Sequence, residues 1–183
     1  LGGADLALRF RDVGLYLSHD NGKTLEQVST NALPGARSVY ALASEGRTLY
    51  AGTVTDLWRS SDCGKSWQKL LTTPSCGLTS IFARGSRILV SAHDRRGDFS
   101  GKYHGGAWYS KDGGVTWRQV YDDPFVRDVL ITDAYLAISP FDDPFHDYDN
   151  GGGTLVSFDD GGTWRSLNTE TLHNWNSVCL TAD

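Results

Sequence analysis

The feature that most constrains this chain is an eight-residue pattern, Ser-x-Asp-x-Gly-x-Thr-Trp, which occurs four times with small variations. The copies start at Ser18, Ser60, Ser110 and Ser157, and their aspartates, Asp20, Asp62, Asp112 and Asp159, are spaced 42, 50 and 47 residues apart. A repeat of that length, set among short apolar strands, marks an array of similar supersecondary units and not an ordinary single-core domain.

Each copy lies between two short stretches of strand character, such as Leu15-Tyr16-Leu17 before the first box and Glu26-Gln27-Val28 after it. That is the layout of a β-hairpin. The carboxylate is expected to accept backbone N–H groups of its own turn, and Gly22, Gly64, Gly114 and Gly161 to supply a positive φ. Hydroxyls such as Ser18 and Thr24 are expected to tie the two arms. Trp67, Trp117 and Trp164 are apolar plugs suited to burial against a neighbouring unit. These roles are structural. The likeness to a calcium-binding loop is weak, because no bidentate glutamate follows.

The boxes resemble the Asp-box (BNR) repeat of sialidases, xyloglucanase-type glycoside hydrolases and sortilin-type receptors. The resemblance extends over nearly the whole chain, with Leu25 in place of tryptophan in the first box and Ser66 in place of threonine in the second. It implies an all-β fold, a β-propeller of four-stranded antiparallel blades with Asp-box hairpins, present as four blades or as a segment of a larger propeller. It implies no single activity, since the box occurs in enzymes and in binding proteins alike.

The second unit shows the plan best. Ser38–Ser44 and Arg47–Thr53 flank a Glu45-Gly46 turn, Asp56–Ser60 enters the box and Ser66–Leu71 leaves it. Four strands in up-and-down order make one propeller blade. The third blade repeats this with Leu78–Ala83, Arg87–Ala92, Ala107–Ser110 and Thr116–Val120, the fourth with Val126–Ile131, Ala134–Ser139, Thr154–Ser157 and Thr163–Leu167. Three strands precede the second blade, Asp5–Phe10, Gly14–Ser18 and Thr24–Ser29. Blades are thus expected over residues 1–34, 35–74, 75–123 and 124–172, with 173–183 an inner strand of the next or the first blade. That last strand, Asn176–Thr181, would either close a four-bladed ring or open a further blade. The second reading is preferred, because the resembled families use more blades. The chain has no methionine and opens Leu1-Gly2-Gly3, so a mature or excised piece is expected.

Composition narrows the partners. The formal net charge is −5 and no basic run is interleaved with aromatics, which argues against nucleic acid. No apolar stretch is long enough to span a membrane. Cys63, Cys76 and Cys179 lack metal-ligand spacing. An intervening strand of roughly 17–20 Å exceeds the ~7 Å reach of a disulfide, so Cys63–Cys76 is not expected to be bridged. Three unpaired thiols are the preferred reading.

Strand alternation supplies the functional inference. The first and third turns of a blade, the third being the box, lie on one face; the second turn and the crossover to the next blade lie on the other. Two second turns are long, His93–Gly106 and Phe141–Gly153, and they share a face with the crossovers Tyr121–Phe125 and Asn168–Trp175. Function carried on loops above a rigid scaffold is the usual arrangement. The gathered segments include Asp94, Arg95, Arg96, His146 and His173 besides the candidates that follow. Asp122, Asp123, Asp142 and Asp143 are candidate catalytic carboxylates, since glycosidic cleavage uses paired acids. Asp98, Tyr103, His104, Tyr148 and Trp175 are candidate ligand contacts, their rings suited to stacking on sugar faces. Asp142, Asp143, Asp147 and Asp149 are candidate calcium ligands. The competing reading is that Asp-Pro and Asp-Gly pairs simply make polar turns. Nothing fixes the geometry of a His104–His146 metal pair.

Two functions follow. The first is a non-catalytic recognition module, extracellular or at the cell surface, that binds a glycan or protein through the loop face, with remaining blades or another chain completing the propeller. The second is part of a sialidase- or xyloglucanase-like glycoside hydrolase with an aspartate general acid and base. The sialidase pattern departs in detail: Arg9-Phe10-Arg11-Asp12 does not match its Phe/Tyr-Arg-Ile-Pro motif, and Glu26, Glu45 and Glu170 offer no Tyr/Glu pair. Xyloglucanases of this kind use two aspartates from separate propeller domains. No nucleophile elbow, phosphate loop or cofactor fingerprint occurs. The recognition reading is therefore preferred.

Overall fold

The computed structural model describes residues 6–10, 14–29, 31–34, 39–74, 77–93, 104–140 and 153–167. Within them every regular element is a strand. The first sheet holds β1 (Leu6–Phe10), β2 (Gly14–Ser18) and β3 (Glu26–Gln27). The second holds β4 (Ala41–Glu45), β5 (Thr48–Gly52), β6 (Asp56–Ser60) and β7 (Gln68–Thr72). The third holds β8 (Gly77–Arg84), β9 (Arg87–His93), β10 (Gly106–Ser110) and β11 (Arg118–Tyr121). The fourth holds β12 (Val126–Ile131), β13 (Leu136–Pro140), β14 (Leu155–Ser157) and β15 (Arg165–Ser166). In each sheet the spatial order follows the chain order, and every strand pair is antiparallel. This is the expected meander, with a three-stranded first sheet among the described residues.

Successive side chains along a strand point to opposite faces, so each inner sheet can pack on two neighbours. One face of the third sheet sends Leu78, Ile88, Val90 and Trp108 against Tyr50 and Leu57 of the second. Its other face sends Leu89, Ala107, Tyr109 and Val120 against Val126, Ile131, Leu136 and Ile138 of the fourth. Leu15, Leu17 and Val28 meet Leu49 and Ala51 in the first joint. Sheets approach closely here: a Cβ added at Gly52 would lie 2.8 Å from that of Leu78.

Several strands start later than the sequence suggests. β7 begins at Gln68 and β11 at Arg118, because Ser66 and Thr116 have already given their N–H to the box aspartates. β13 begins at Leu136, because the Thr132 hydroxyl accepts the N–H groups of Ala134 and Tyr135 and closes a tight turn. The inner strand expected from Ser38 begins at Ala41, although the Tyr40 N–H already bonds the Gly52 carbonyl at 2.7 Å. Cys63 is a buried free thiol in the second box corner, 3.4 Å from an Arg47 guanidinium nitrogen. Cys76, Cys179 and the expected strand 176–181 lie outside the described residues.

Candidate functional site

The four boxes share one hydrogen-bond pattern. The serine hydroxyl donates to one carboxylate oxygen of its aspartate at 2.8 Å in every copy. The same oxygen accepts the backbone N–H of Thr24, Ser66, Thr116 or Thr163 at 2.8–2.9 Å. The second oxygen accepts the hydroxyl of that residue at 2.5–2.8 Å. The serine oxygen in turn accepts the N–H of Gly22, Gly64, Gly114 or Gly161 at 2.7–2.8 Å. The serine and threonine hydroxyls thus tie the two arms, as expected, with the carboxylate as the bridge between them. Each glycine has φ of 84–89°, as expected. The residue before it is also left-handed, at Asn21, Cys63, Gly113 and Asp160 with φ of 58–73°. Two consecutive positive φ values suit the twist of a tight hairpin.

These bonds hold Asp20, Asp62, Asp112 and Asp159 as anions, with pKa lowered to about 2. The largest cause is the backbone N–H of Thr24 or Thr163 for Asp20 and Asp159, and the hydroxyl of Ser66 or Thr116 for Asp62 and Asp112. A carboxylate so engaged is unsuited to donating a proton near neutrality. Because the folded pKa lies below the unfolded value, the contribution is present above the unfolded pKa of about 4 and lost as pH falls through the folded one. Thermal melts stepped from pH 6 down to pH 2 are expected to show stability falling mainly between about pH 4 and 2. Replacing all four aspartates by asparagine should flatten that fall, and an unchanged profile would refute the assignment.

The opposite ends of the strands carry the loop stems. His93 ends β9, Gly106 begins β10, Tyr121 ends β11 and Val126 begins β12. His93 forms a bridge with Phe125, its ring lies 5.3 Å from the Phe125 ring, and its Nδ1 lies 3.2 Å from the Pro124 carbonyl oxygen. Gly105 presses on the same crossover, where an added Cβ would come within 2.6 Å of Pro124. Gln119 donates to the Gly105 carbonyl at 3.0 Å. Pro140, from which the other long turn departs, pairs with Val126. The roots of both long turns therefore flank the 121–125 crossover, away from the boxes.

Of the sequence candidates, His104 is half-buried beside this stem, Asp122 is exposed and Asp123 is half-buried. Asp123 accepts the Phe125 N–H at 2.9 Å, an Asx-type turn over Pro124. Tyr121 has its pKa pushed up to about 12, first by burial and then by the charges of Asp123 and Asp122. Its ring meets Trp164 edge-on at 6.0 Å. His93 and Tyr121 were missed by sequence reasoning, although each is a ring at a strand end beside a proposed loop. Asp98, Tyr103, Asp142, Asp143, Asp147, Tyr148, Asp149 and Trp175 lie outside the described residues, as do Asp94, Arg95, Arg96, His146 and His173. Among the described residues no three metal-binding side chains converge, and no helix is long and apolar enough to cross a membrane.

Four meandering sheets, joined face to face through apolar clusters, are consecutive blades of a β-propeller. Solved structures agree. An ancestral GH74 enzyme matches with TM-score 0.68 and 19% identity over 92% of this chain and 23% of its own. The extracellular domain of BT4673 from B. thetaiotaomicron matches with TM-score 0.63 and 13% identity, over 93% of this chain and 22% of its own. YCF48 bound to D1 peptide matches with TM-score 0.55 and 17% identity, over 76% of this chain and 43% of its own. At such identities the likeness shows the fold. The chain spans about a quarter of the first two. No model of a protein family matches the sequence, and no curated protein matches it.

Proposed function

We propose that this is a non-catalytic recognition propeller of the Asp-box type, extracellular or at the cell surface, that binds a glycan or protein on the loop face. The observation that carries it is the position of the roots of both long turns, at His93 and Pro140, beside one crossover, with His104, Tyr121 and the Asp122–Asp123 pair near them. Aromatic rings beside carboxylates suit the stacking and hydrogen bonding by which sugars are held. The box aspartates are committed to their own turns, which leaves the loop face as the place for variable chemistry. The second reading, part of a glycoside hydrolase, is supported by the likeness to a GH74 enzyme and by the sequence candidates Asp122, Asp123, Asp142 and Asp143.

A glycan array paired with a sugar-release assay on polysaccharides separates the two. Binding without release, weakened by Tyr103→Ala and His104→Ala, is the expected outcome. Release abolished by Asp142→Ala or Asp143→Ala would replace recognition with hydrolysis. Binding that survives removal of the loop-face side chains would sink both.

A further inference from the structure

The inner strands of three blades share one irregularity at their loop-face ends. In β8 the ladder shifts between Leu78 and Ser80, which makes Thr79 an extra residue. In β12 it shifts between Val126 and Asp128, which makes Arg127 extra. In the second blade Ala41 pairs with Gly52, and the Tyr40 N–H also bonds the Gly52 carbonyl at 2.7 Å. Gly52, Ser91 and Ser139 stand at one register, each three residues beyond the partner of a box serine. Ala41, Ser80 and Asp128 are their inner-strand partners. A bulge of this kind bends its strand and re-aims a side chain, and such bulges recur beside functional sites.

The kink is common to the blades, but its filling is not. Between the second and third blades the place is apolar: a Cβ added at Gly52 would meet those of Leu78 and Ala41 at 2.8 and 3.3 Å. One joint later the same three places hold Ser91, Val126 and Ser80. The Ser80 hydroxyl donates to an Asp128 carboxylate oxygen at 2.5 Å, and that oxygen also accepts the Val129 N–H at 3.0 Å. The Thr79 hydroxyl donates to the Val126 carbonyl at 3.0 Å and lies 2.8 Å from the buried Ser91 hydroxyl. Taking hydroxyls and a carboxylate from water costs desolvation that the alanine–glycine filling avoids, so packing alone does not call for them. Asp128 is half-buried, while Arg127 beside it is exposed. The two stand two and three residues after Phe125, the partner of His93 at the root of the first long turn.

We infer that Arg127 and Asp128 form the inner end of the loop-face site and contact its ligand, an uncharged saccharide. Asp128 accepts hydroxyl groups of the sugar, the Arg127 guanidinium donates to its oxygens, and Ser80 is a positioning residue that holds the carboxylate. This assignment rests on the reading of the loop face as a glycan site. The stretch 121–128 carries three aspartates and one arginine. Its net negative charge repels an acidic sugar, whereas neutral sugar hydroxyls make charge-assisted hydrogen bonds to carboxylates.

The test titrates the isotope-labelled 183-residue protein with neutral oligosaccharides of glucose, xylose, mannose and galactose, and with oligogalacturonate, followed by nuclear magnetic resonance. Saturable amide shifts are expected at Thr79, Arg127 and Asp128 with a neutral oligosaccharide and not with oligogalacturonate. Asp128→Asn keeps an acceptor for Ser80 and Val129, so its melting temperature should hold while affinity falls about tenfold. Arg127→Gln should weaken binding by a similar factor. Asp133→Asn, at the opposite end of the strands where the carboxylate pairs with Arg84, should leave affinity unchanged. Shifts confined to His104 and residues 121–123, with wild-type affinity in both Asp128→Asn and Arg127→Gln, would overturn the assignment and leave the glycan reading standing. Tighter binding of oligogalacturonate would overturn the stated ligand class. No binding of any of these sugars at millimolar concentration would refute the glycan reading and the assignment with it.

Discussion

Replacing Gly161 by alanine is expected to destabilise the protein by about 2–4 kcal/mol and lower its melting temperature by roughly 5–15 °C. Two effects add. The backbone there has φ of +85°, which an L-residue tolerates poorly, and the new methyl would lie 2.6 Å from the Cβ of Val120. The Val120 Cβ is fixed to the backbone and is not the end of a flexible chain, so the joint between the third and fourth blades must open to admit the methyl. Gly46 isolates the first effect: its φ is +57°, but nothing lies within 4 Å of an added Cβ. Gly46→Ala should therefore cost only about 1 kcal/mol. Chemical denaturation of the two variants checks the pair, and equal losses would show that close approach contributes nothing.

Trp164→Ala carries the second large expectation, a loss of about 2–4 kcal/mol for a half-buried indole that closes the same joint. Its Nε1 donates to the Val120 carbonyl in the preceding blade, whereas Trp67 and Trp117 donate to Gly64 and Gly114 of their own boxes. Trp164→Phe keeps most of the apolar area and gives up the hydrogen bond, so about 1 kcal/mol should go with it. The edge-on ring contact with Tyr121 predicts non-additivity with Tyr121→Ala of about 0.5–1.5 kcal/mol. Strict additivity in a double-mutant cycle would mean the rings merely lie near each other.

The propeller was legible because its signal is local and repeated. All four bonds that make a box run between residues no more than four apart, so the motif folds the same corner wherever it occurs. Its spacing then counts the blades. Strand ends were less legible. The bonds of Ser66 and Thr116 to the box aspartates were expected, but not that they delay the strands to Gln68 and Arg118. The turn closed by Thr132 was not foreseen. The candidate site was read through polarity alone. Alternation of strand direction correctly sends the stems at His93 and Pro140 to the end away from the boxes. It said nothing of His93 stacking on Phe125, or of Asp123 closing the turn over Pro124.

By itself, the order of residues determined a meander of four hairpin corners and which side of the strands each turn occupies, since those follow from interactions within a few residues and from a period of two. Only the packed molecule decided which blade receives which corner. The bonds from Arg118 and Tyr109 to Asp160, and from Trp164 to Val120, join residues 42, 51 and 44 positions apart. No local pattern announces such partners. They meet because neighbouring sheets must bury their apolar faces against each other, and that burial brings the guanidinium of one blade to the corner carbonyl of the next.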